Sequence, residues 1–210
     1  KLLNESGAMM KAYDYAYEPA ASGLVVHVGT DRKYPHLNHH NFFFSKDSKK
    51  FLDTIHRQKK LPEDPNIYLV CPTRTQPDLA PEGHEIIKIL PHIPYLQDPA
   101  FTPADYVALK ERVYEKLERM GITDLRKHTV VEDVLTPNDL EKMYYSNKGS
   151  IYGVVSDVKR NFALKPPKKS SRYENLYFVG GSTNPGGGTC MVVTSGQKCA
   201  DLIVEQQGLS

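Results

Sequence analysis

A glycine-dense segment near the end of the chain constrains its fold more than any other feature. Five of the fourteen glycines fall within residues 180–188, directly after an apolar run at 176–180 that predicts a strand. The pattern from about Gly187 to Gln206 then predicts a helix. Glycines this dense allow positive φ angles and let a ligand approach the backbone closely. The order of strand, loop and helix indicates a helix start that presents free N–H groups to an anion or an electron-rich oxygen.

The glycine pattern by itself leaves the ligand open. The loop lacks the Gly-Lys-Ser/Thr of a P-loop, and it lacks the Gly-x-Gly-x-x-Gly with a downstream acid of a dinucleotide-binding fold. A simple turn between a strand and a helix is the alternative interpretation. The residues alone therefore indicate a loop for an anion or a cofactor of open identity.

One face of the predicted helix carries mainly small residues, which would let it lie close against a sheet. Its members are Val192, Ser195, Gly196, Cys199, Ala200 and Ile203. Cys190 falls on the opposite face, about 13 Å from Cys199 along the axis, so these two cannot form a disulfide. Three cysteines without a CxxC pair argue against a disulfide framework or a zinc site. We expect a reducing, cytoplasmic compartment.

The rest of the chain mixes strand and helix patterns, and we predict an α/β fold with a mixed sheet. The predicted strands cover residues 23–29, 67–71, 85–90 and 128–135, with a further extended segment from 42. Pro72 and Pro91 mark the ends of two strands, because proline cannot donate within a ladder. The predicted helices cover residues 49–60, 103–120 and a shorter stretch from 137.

The helix at 103–120 has the clearest signals. Thr102 is its expected N-cap and Asp105 favours the positive end of its dipole. The apolar stripe of this helix comprises Tyr106, Leu109, Val113, Leu117 and Met120.

Composition excludes several classes of function. A net charge of +2, spread along the chain, gives no face that could track the phosphates of a nucleic acid. The short basic run at 165–169 is broken by prolines and is interpreted as a solvated loop. No apolar run approaches the ~20 residues that cross a bilayer. His36, His39 and His40 form a cluster without a carboxylate or cysteine to complete a zinc site, so a polar loop and no metal are expected.

Five motifs, in order over nearly the whole chain, resemble those of the carotenoid (phytoene and diapophytoene) desaturase family. The most specific reads Asn-Leu-Tyr-Phe-Val-Gly-Gly-Ser-Thr-Asn-Pro-Gly-Gly-Gly-Thr at 175–189, followed by Thr-Ser-Gly at 194–196. The others lie at 23–35, 39–45, 78–84, which reads Asp-Leu-Ala-Pro-Glu-Gly-His, and 149–153, which reads Gly-Ser-Ile-Tyr-Gly.

This resemblance implies the C-terminal part of an FAD-dependent flavoprotein with a fold of the FAD/NAD(P)-binding type. Residues 1–145 would belong to a substrate region with a mixed sheet and helices, and residues 146–210 would return to the FAD domain as its closing strand, loop and helix. N–H groups at 187–189 would face the flavin C2 carbonyl and favour flavin reduction electrostatically. The cofactor-binding residues implied by the resemblance are Gly180, Gly181, Ser182, Gly187, Gly188, Thr189 and Met191.

For the intact parent protein, the resemblance implies desaturation of a carotenoid precursor such as phytoene or diapophytoene, a long apolar isoprenoid. A hydride would leave an unactivated CH–CH pair for the flavin, and a proton would be lost nearby. No residue is assigned as a catalytic acid or base. A carotenoid isomerase or oxygenase, a retinoid saturase and a non-catalytic isoprenoid carrier on the same fold stay open. Ser182, Asn184 and Thr189-Cys190 depart from the family pattern, which leaves the subtype open.

The family's N-terminal strand–GxGxxG–helix, which holds the ADP half of FAD, has no counterpart in these residues, and the sequence is expected to start mid-protein. We therefore expect the chain alone to bind FAD weakly or not at all. Peripheral contact with a membrane is expected only from an oil-soluble substrate. The electron acceptor and the oligomeric state stay open.

Overall fold

The computed structural model describes residues 6–208 as two compact units. One unit comprises residues 21–149, and the other joins residues 6–20 to residues 150–208. The division at 149/150 lies close to the predicted one at 145/146, whereas residues 6–20 group with the C-terminal part. Residues 1–5 and 209–210, which the predicted parts include, lie outside the described residues. The assignment of the two parts to substrate and flavin stays a prediction.

The unit of residues 21–149 is built on a six-stranded sheet in the order β3-β4-β5-β2-β6, with β1 paired to β5. Its strands are β1 (Ser22–Gly23), β2 (Val25–Thr30), β3 (His40–Phe43), β4 (Ile67–Val70), β5 (Glu85–Ile93) and β6 (Thr129–Leu135). Its helices are α2 (Ser48–His56), α3 (Pro103–Arg119), α4 (Leu125–His128) and α5 (Pro137–Tyr144), with 3₁₀ turns at Pro72–Arg74, Pro77–Leu79 and Asn147–Gly149. These elements follow the predicted strands and helices closely.

Every ladder described in this sheet is antiparallel. The prediction of a mixed sheet is therefore wrong, and the unit is an α+β rather than an α/β arrangement. The connection from β4 to β5 shows the reason, since it reverses the chain through two 3₁₀ turns instead of a crossover helix. Apolar runs in the sequence fit either strand direction, so the pattern could not decide between them.

Pro91 lies inside β5 and does not end it, which corrects a second prediction. It pairs with Ile67 of β4, and the next residue, His92, donates from its backbone N–H to the Asn66 carbonyl on the β4 side. Because successive backbone N–H groups point to opposite edges of a strand, the Pro91 nitrogen faces the other edge. Leu24, which separates β1 from β2, lies there and donates to the Pro91 carbonyl at 3.3 Å. Proline is tolerated because the ladder is interrupted at this point.

The core of this unit lies between one face of the sheet and α3. The stripe predicted on α3 is buried as far as Leu117, whereas Met120 follows the last turn and is 48% exposed. From the sheet, this core contains Val26, Val28, Ile67, Leu69, Ile87 and Ile89. Buried positions alternate along β2, β4 and the first five residues of β5, as expected for a sheet with one covered face.

The capping box that starts α3 should contribute measurably to stability. The Thr102 hydroxyl accepts from the Asp105 N–H at 3.3 Å, and the Asp105 carboxylate accepts from the Thr102 N–H at 2.7 Å. We expect Thr102→Ala to lower the free energy of unfolding by about 1 kcal/mol in urea denaturation. Thr54→Ala is the control, because the Thr54 hydroxyl only donates back to the Lys50 carbonyl inside α2. Equal effects of the two changes would contradict a capping role.

In the second unit, residues 6–20 and 150–208 form three helices: α1 (Gly7–Ala16), α6 (Val158–Asn161) and α7 (Thr189–Gln206). The strand predicted at 176–180 is wrong, because this segment makes only an isolated bridge between Tyr177 and Lys169. Phe178 and Val179 are 38% and 58% exposed, so no sheet covers these apolar side chains in the part of the chain described. Across residues 6–208, no helix combines the length and the apolar character that a membrane span requires.

Candidate functional site

The glycine loop is open at its two ends. Gly180 and Gly188 adopt φ angles of 98° and 111°, which lie in the region that favours glycine. A Cβ built at either position would have no atom within 4 Å among the described neighbours. Ser182, Thr189 and Met191 are exposed beside them. These five predicted residues thus border space that a ligand could enter.

The start of α7 presents backbone donors at the same place. The helix begins at Thr189, two residues later than predicted, with Gly188 as a cap that offers no side-chain hydrogen bond. The first described intrahelical bond of this end runs from the Val192 N–H to the Gly188 carbonyl at 2.9 Å. The N–H groups of residues 189–191 therefore precede the helical ladder, and no acidic side chain lies in the first turn. Donors and a positive dipole end suit an anionic or electron-rich group.

Gly181 and Gly187, also predicted to bind a cofactor, pack closely against the turn at 150–153. A Cβ at Gly187 would lie 2.8 Å from the Tyr152 Cα, and one at Gly181 would lie 3.2 Å from the Tyr152 carbonyl oxygen. Gly153 is packed in the same way, since its Cβ would lie 2.6 Å from both the Gly181 oxygen and the Ser182 nitrogen. The backbone of the loop thus packs directly against the backbone of the turn at 150–153. Whether any of the seven predicted residues contacts a cofactor stays a prediction.

A buried polar cluster behind the loop is the feature that sequence reasoning missed. Ser195 and Thr183 are almost completely buried, and their hydroxyl oxygens lie 2.9 Å apart. The Ser195 oxygen also accepts from the Gly180 N–H at 3.1 Å and from the Lys168 ammonium at 3.3 Å. In the sequence, Ser195 had only the position of a small residue on the packed helix face. No local pattern links it to a lysine 27 positions earlier.

The basic run at 165–169 is a loop, as predicted, with Pro167 and Lys169 exposed, but two of its ammonium groups contact the backbone of other segments. The Lys165 ammonium donates to the Val154 carbonyl, and the Lys168 ammonium donates to the Asn184 carbonyl of the glycine loop. Partial burial lowers the pKa of Lys165.

The histidines of the proposed polar loop make ordinary polar contacts. His39 Nδ1 lies 2.7 Å from the Thr75 hydroxyl, and His40 Nδ1 lies 2.8 Å from the Tyr68 hydroxyl. Within residues 6–208, no group of three or more histidine, cysteine or acidic side chains is placed to hold a metal ion. The glycine loop therefore remains the best candidate for a ligand site in the described chain.

In sequence, the chain is similar to carotenoid oxygenases over nearly all of its length. It is 54% identical over 202 residues to a 4,4'-diaponeurosporene oxygenase of Staphylococcus haemolyticus (strain JCSC1435), and 54% identical over 205 residues to a 4,4'-diapolycopene oxygenase of Methylomonas sp.. A 4,4'-diaponeurosporene oxygenase of Staphylococcus aureus (strain MRSA252) is 52% identical over 202 residues. No family model matches the chain.

These matches cover 96%, 97% and 96% of the chain, but only 40%, 41% and 41% of the three relatives. The chain thus spans about two fifths of the length of the curated relatives it matches. These three matches confirm the resemblance of the chain to enzymes that act on carotenoids.

Proposed function

We propose that the chain forms part of an FAD-dependent oxidoreductase that oxygenates a linear carotenoid. The observation that carries this proposal is the 54% identity to diapocarotenoid oxygenases across nearly the whole chain. The relatives' names supply the substrate class, 4,4'-diaponeurosporene or 4,4'-diapolycopene. The resemblance of the motif at 175–189 to the carotenoid desaturase family is the reason for proposing FAD as the cofactor.

The geometry of the glycine loop supports FAD as that cofactor. When bound, FAD would supply the redox chemistry. The N–H groups of residues 189–191 would hold an electron-rich edge of the cofactor, and the absence of side chains at Gly180 and Gly188 would let it approach the backbone. The turn at 150–153 would keep the loop in shape from behind. An apolar polyene offers few polar handles, so its alignment would depend on apolar burial.

Desaturation is the second candidate, because the ordered motifs resemble those of phytoene and diapophytoene desaturases. The test supplies the purified full-length protein with 4,4'-diapolycopene, 4,4'-diaponeurosporene or diapophytoene and measures product masses. Oxygenation predicts products that gain oxygen from the first two substrates. Products that lose only hydrogen would replace oxygenation with desaturation. Unchanged carotenoids with a flavin-free protein would overturn the proposal.

A charge placed at the start of α7 should separate cofactor binding from folding. Thr189 is the exposed first residue of the helix, and a carboxylate there would interact favourably with the dipole. We expect Thr189→Glu to leave the free energy of unfolding unchanged or raise it by about 0.5 kcal/mol. The same carboxylate would repel an electron-rich cofactor, so the Kd of the full-length protein for FAD should rise about tenfold or more.

Gln197→Glu is the matched control for this change. Gln197 is exposed in the middle of α7, so the variant adds the same charge away from the helix start. Fluorescence titration of FAD and urea denaturation should be run on both variants. If Thr189→Glu bound FAD as tightly as Gln197→Glu, the helix start would not face the cofactor.

A further inference from the structure

The glycine loop is fastened to α7 through one buried hydroxyl. Ser195 lies in the second turn of α7 and is 0% exposed. Its oxygen receives the Gly180 N–H at 3.1 Å and the Lys168 ammonium at 3.3 Å, and it lies 2.9 Å from the Thr183 hydroxyl oxygen. Three separate points before and within the loop therefore meet at a single atom of the helix.

The protons of this cluster follow from its donors and acceptors. A serine oxygen has two lone pairs and one hydrogen. Because the Gly180 N–H and the Lys168 ammonium can only donate, they occupy both lone pairs of the Ser195 oxygen. Its hydrogen is then directed to Thr183, and the Thr183 hydroxyl donates in turn to the Gly180 carbonyl at 3.4 Å. This assignment leaves each hydroxyl of the cluster with a partner and closes a ring around the first turn of the loop.

Lys168 forms a second link between the loop and α7, and it adds a positive charge. Its ammonium donates to the Asn184 carbonyl inside the loop as well as to Ser195 on the helix. Both of these acceptors are neutral, so the contacts hold the ammonium in place without cancelling its charge. A cation fixed behind the loop makes the potential there more positive, as does the nearby helix start.

We propose that Ser195 and Lys168 are positioning residues that hold the glycine loop in its cofactor-ready shape. This inference rests on the proposed function and extends it, since neither residue is among the cofactor-binding residues that the resemblance implies. A loop rich in glycine loses much conformational entropy when it becomes ordered. The cluster fixes the loop before a ligand arrives and so reduces the entropy cost of binding.

The test measures FAD binding to the full-length protein and to four variants. Ser195→Ala leaves the Gly180 N–H without its partner and removes one contact each from Thr183 and Lys168, so the Kd of this variant for FAD should rise about tenfold. Thr194→Ala is the matched control, since it removes a hydroxyl from the neighbouring position that only donates to the Cys190 carbonyl. Its Kd should stay within about twofold of the wild type.

Lys168→Met and Lys168→Arg separate positioning from general stability. Lys168→Met should weaken FAD binding and shift the reduction potential of the bound flavin to more negative values, because a nearby cation favours the more negative reduced form. Lys168→Arg keeps the charge and the donors, and it should restore both the affinity and the potential. A purely structural role would not produce this rescue of the potential. If Ser195→Ala does not fold, the comparison of Lys168→Met with Lys168→Arg still tests the proposal.

Three results decide the matter. Weak binding by Ser195→Ala or Lys168→Met, with rescue by Lys168→Arg, supports the proposal. Wild-type affinity, absorption spectrum and potential in Ser195→Ala and Lys168→Met would overturn it and leave the proposed function standing. A wild-type protein that binds no FAD would overturn the proposed function itself.

Discussion

Arg74→Met is expected to lower the free energy of unfolding by about 3 to 5 kcal/mol, the largest effect predicted for this chain. The Arg74 guanidinium forms an ion pair with Glu85, whose side chain is only 2% exposed. It also donates to the Tyr34 carbonyl at 2.6 Å. Without the guanidinium, the buried Glu85 carboxylate would keep the hydrogen bond that it accepts from the Tyr34 N–H at 2.9 Å. It would have no cation to balance its charge. Urea denaturation of the purified chain measures the change.

Two further variants test whether the buried charge is the cause. Arg57→Met removes a cation from an exposed pair, 3.6 Å from Asp53, and should change stability by less than about 1 kcal/mol. The double variant Arg74→Met with Glu85→Gln removes both charges and should recover part of the loss. A double variant no more stable than Arg74→Met would show that the unpaired Glu85 carboxylate is not the cause of the loss.

Gly153→Ala is expected to lower the free energy of unfolding by about 2 to 5 kcal/mol, from two independent causes. Gly153 has a φ of 77°, where alanine is strained by about 1 to 2 kcal/mol. Its new Cβ would also lie 2.6 Å from backbone atoms of Gly181 and Ser182, and such overpacking costs about 1 to 3 kcal/mol. Hydrogen exchange across residues 150–208, compared with wild type, locates the loss in the unit that contains the glycine loop.

Gly196→Ala is a control that should change the free energy of unfolding in the opposite direction. Gly196 lies inside α7, and a Cβ there would have no atom within 4 Å among its described neighbours. Alanine at this position should stabilise the chain by about 0.5 to 1 kcal/mol, because it is the better helix former. If Gly153→Ala were as well tolerated as Gly196→Ala, the turn at 150–153 would not support the loop as described.

Local signals in the sequence predicted the local features of the fold. Thr102 starts its helix with the expected cap, and the apolar stripe of α3 is buried up to its last turn. Caps and stripes are set by residues three or four positions apart, so a single sequence contains them in full. The direction of the strands is set by pairing between distant residues, and the expected mixed sheet was wrong for that reason.

The candidate site also has features that the sequence predicts and features that it does not. The open glycines and the helix start could be predicted from residues 180–191 alone, and the structure leaves the space around Gly180 and Gly188 open. The supports behind the loop could not be predicted, because Tyr152, Lys168 and Ser195 reach it from three different parts of the chain. The run at 176–180 has the residue types of a strand, but its only described pairing is with the segment at 168–170.

Hydrogen exchange of the full-length protein with and without FAD tests the central claim most directly. We expect FAD to slow exchange of the amides of residues 188–191, at the uncapped start of α7, and to leave exchange in the exposed C-terminal turn of the same helix unchanged. Saturating FAD that protects other parts of the protein but not these amides would contradict the claim that the glycine loop contacts the flavin.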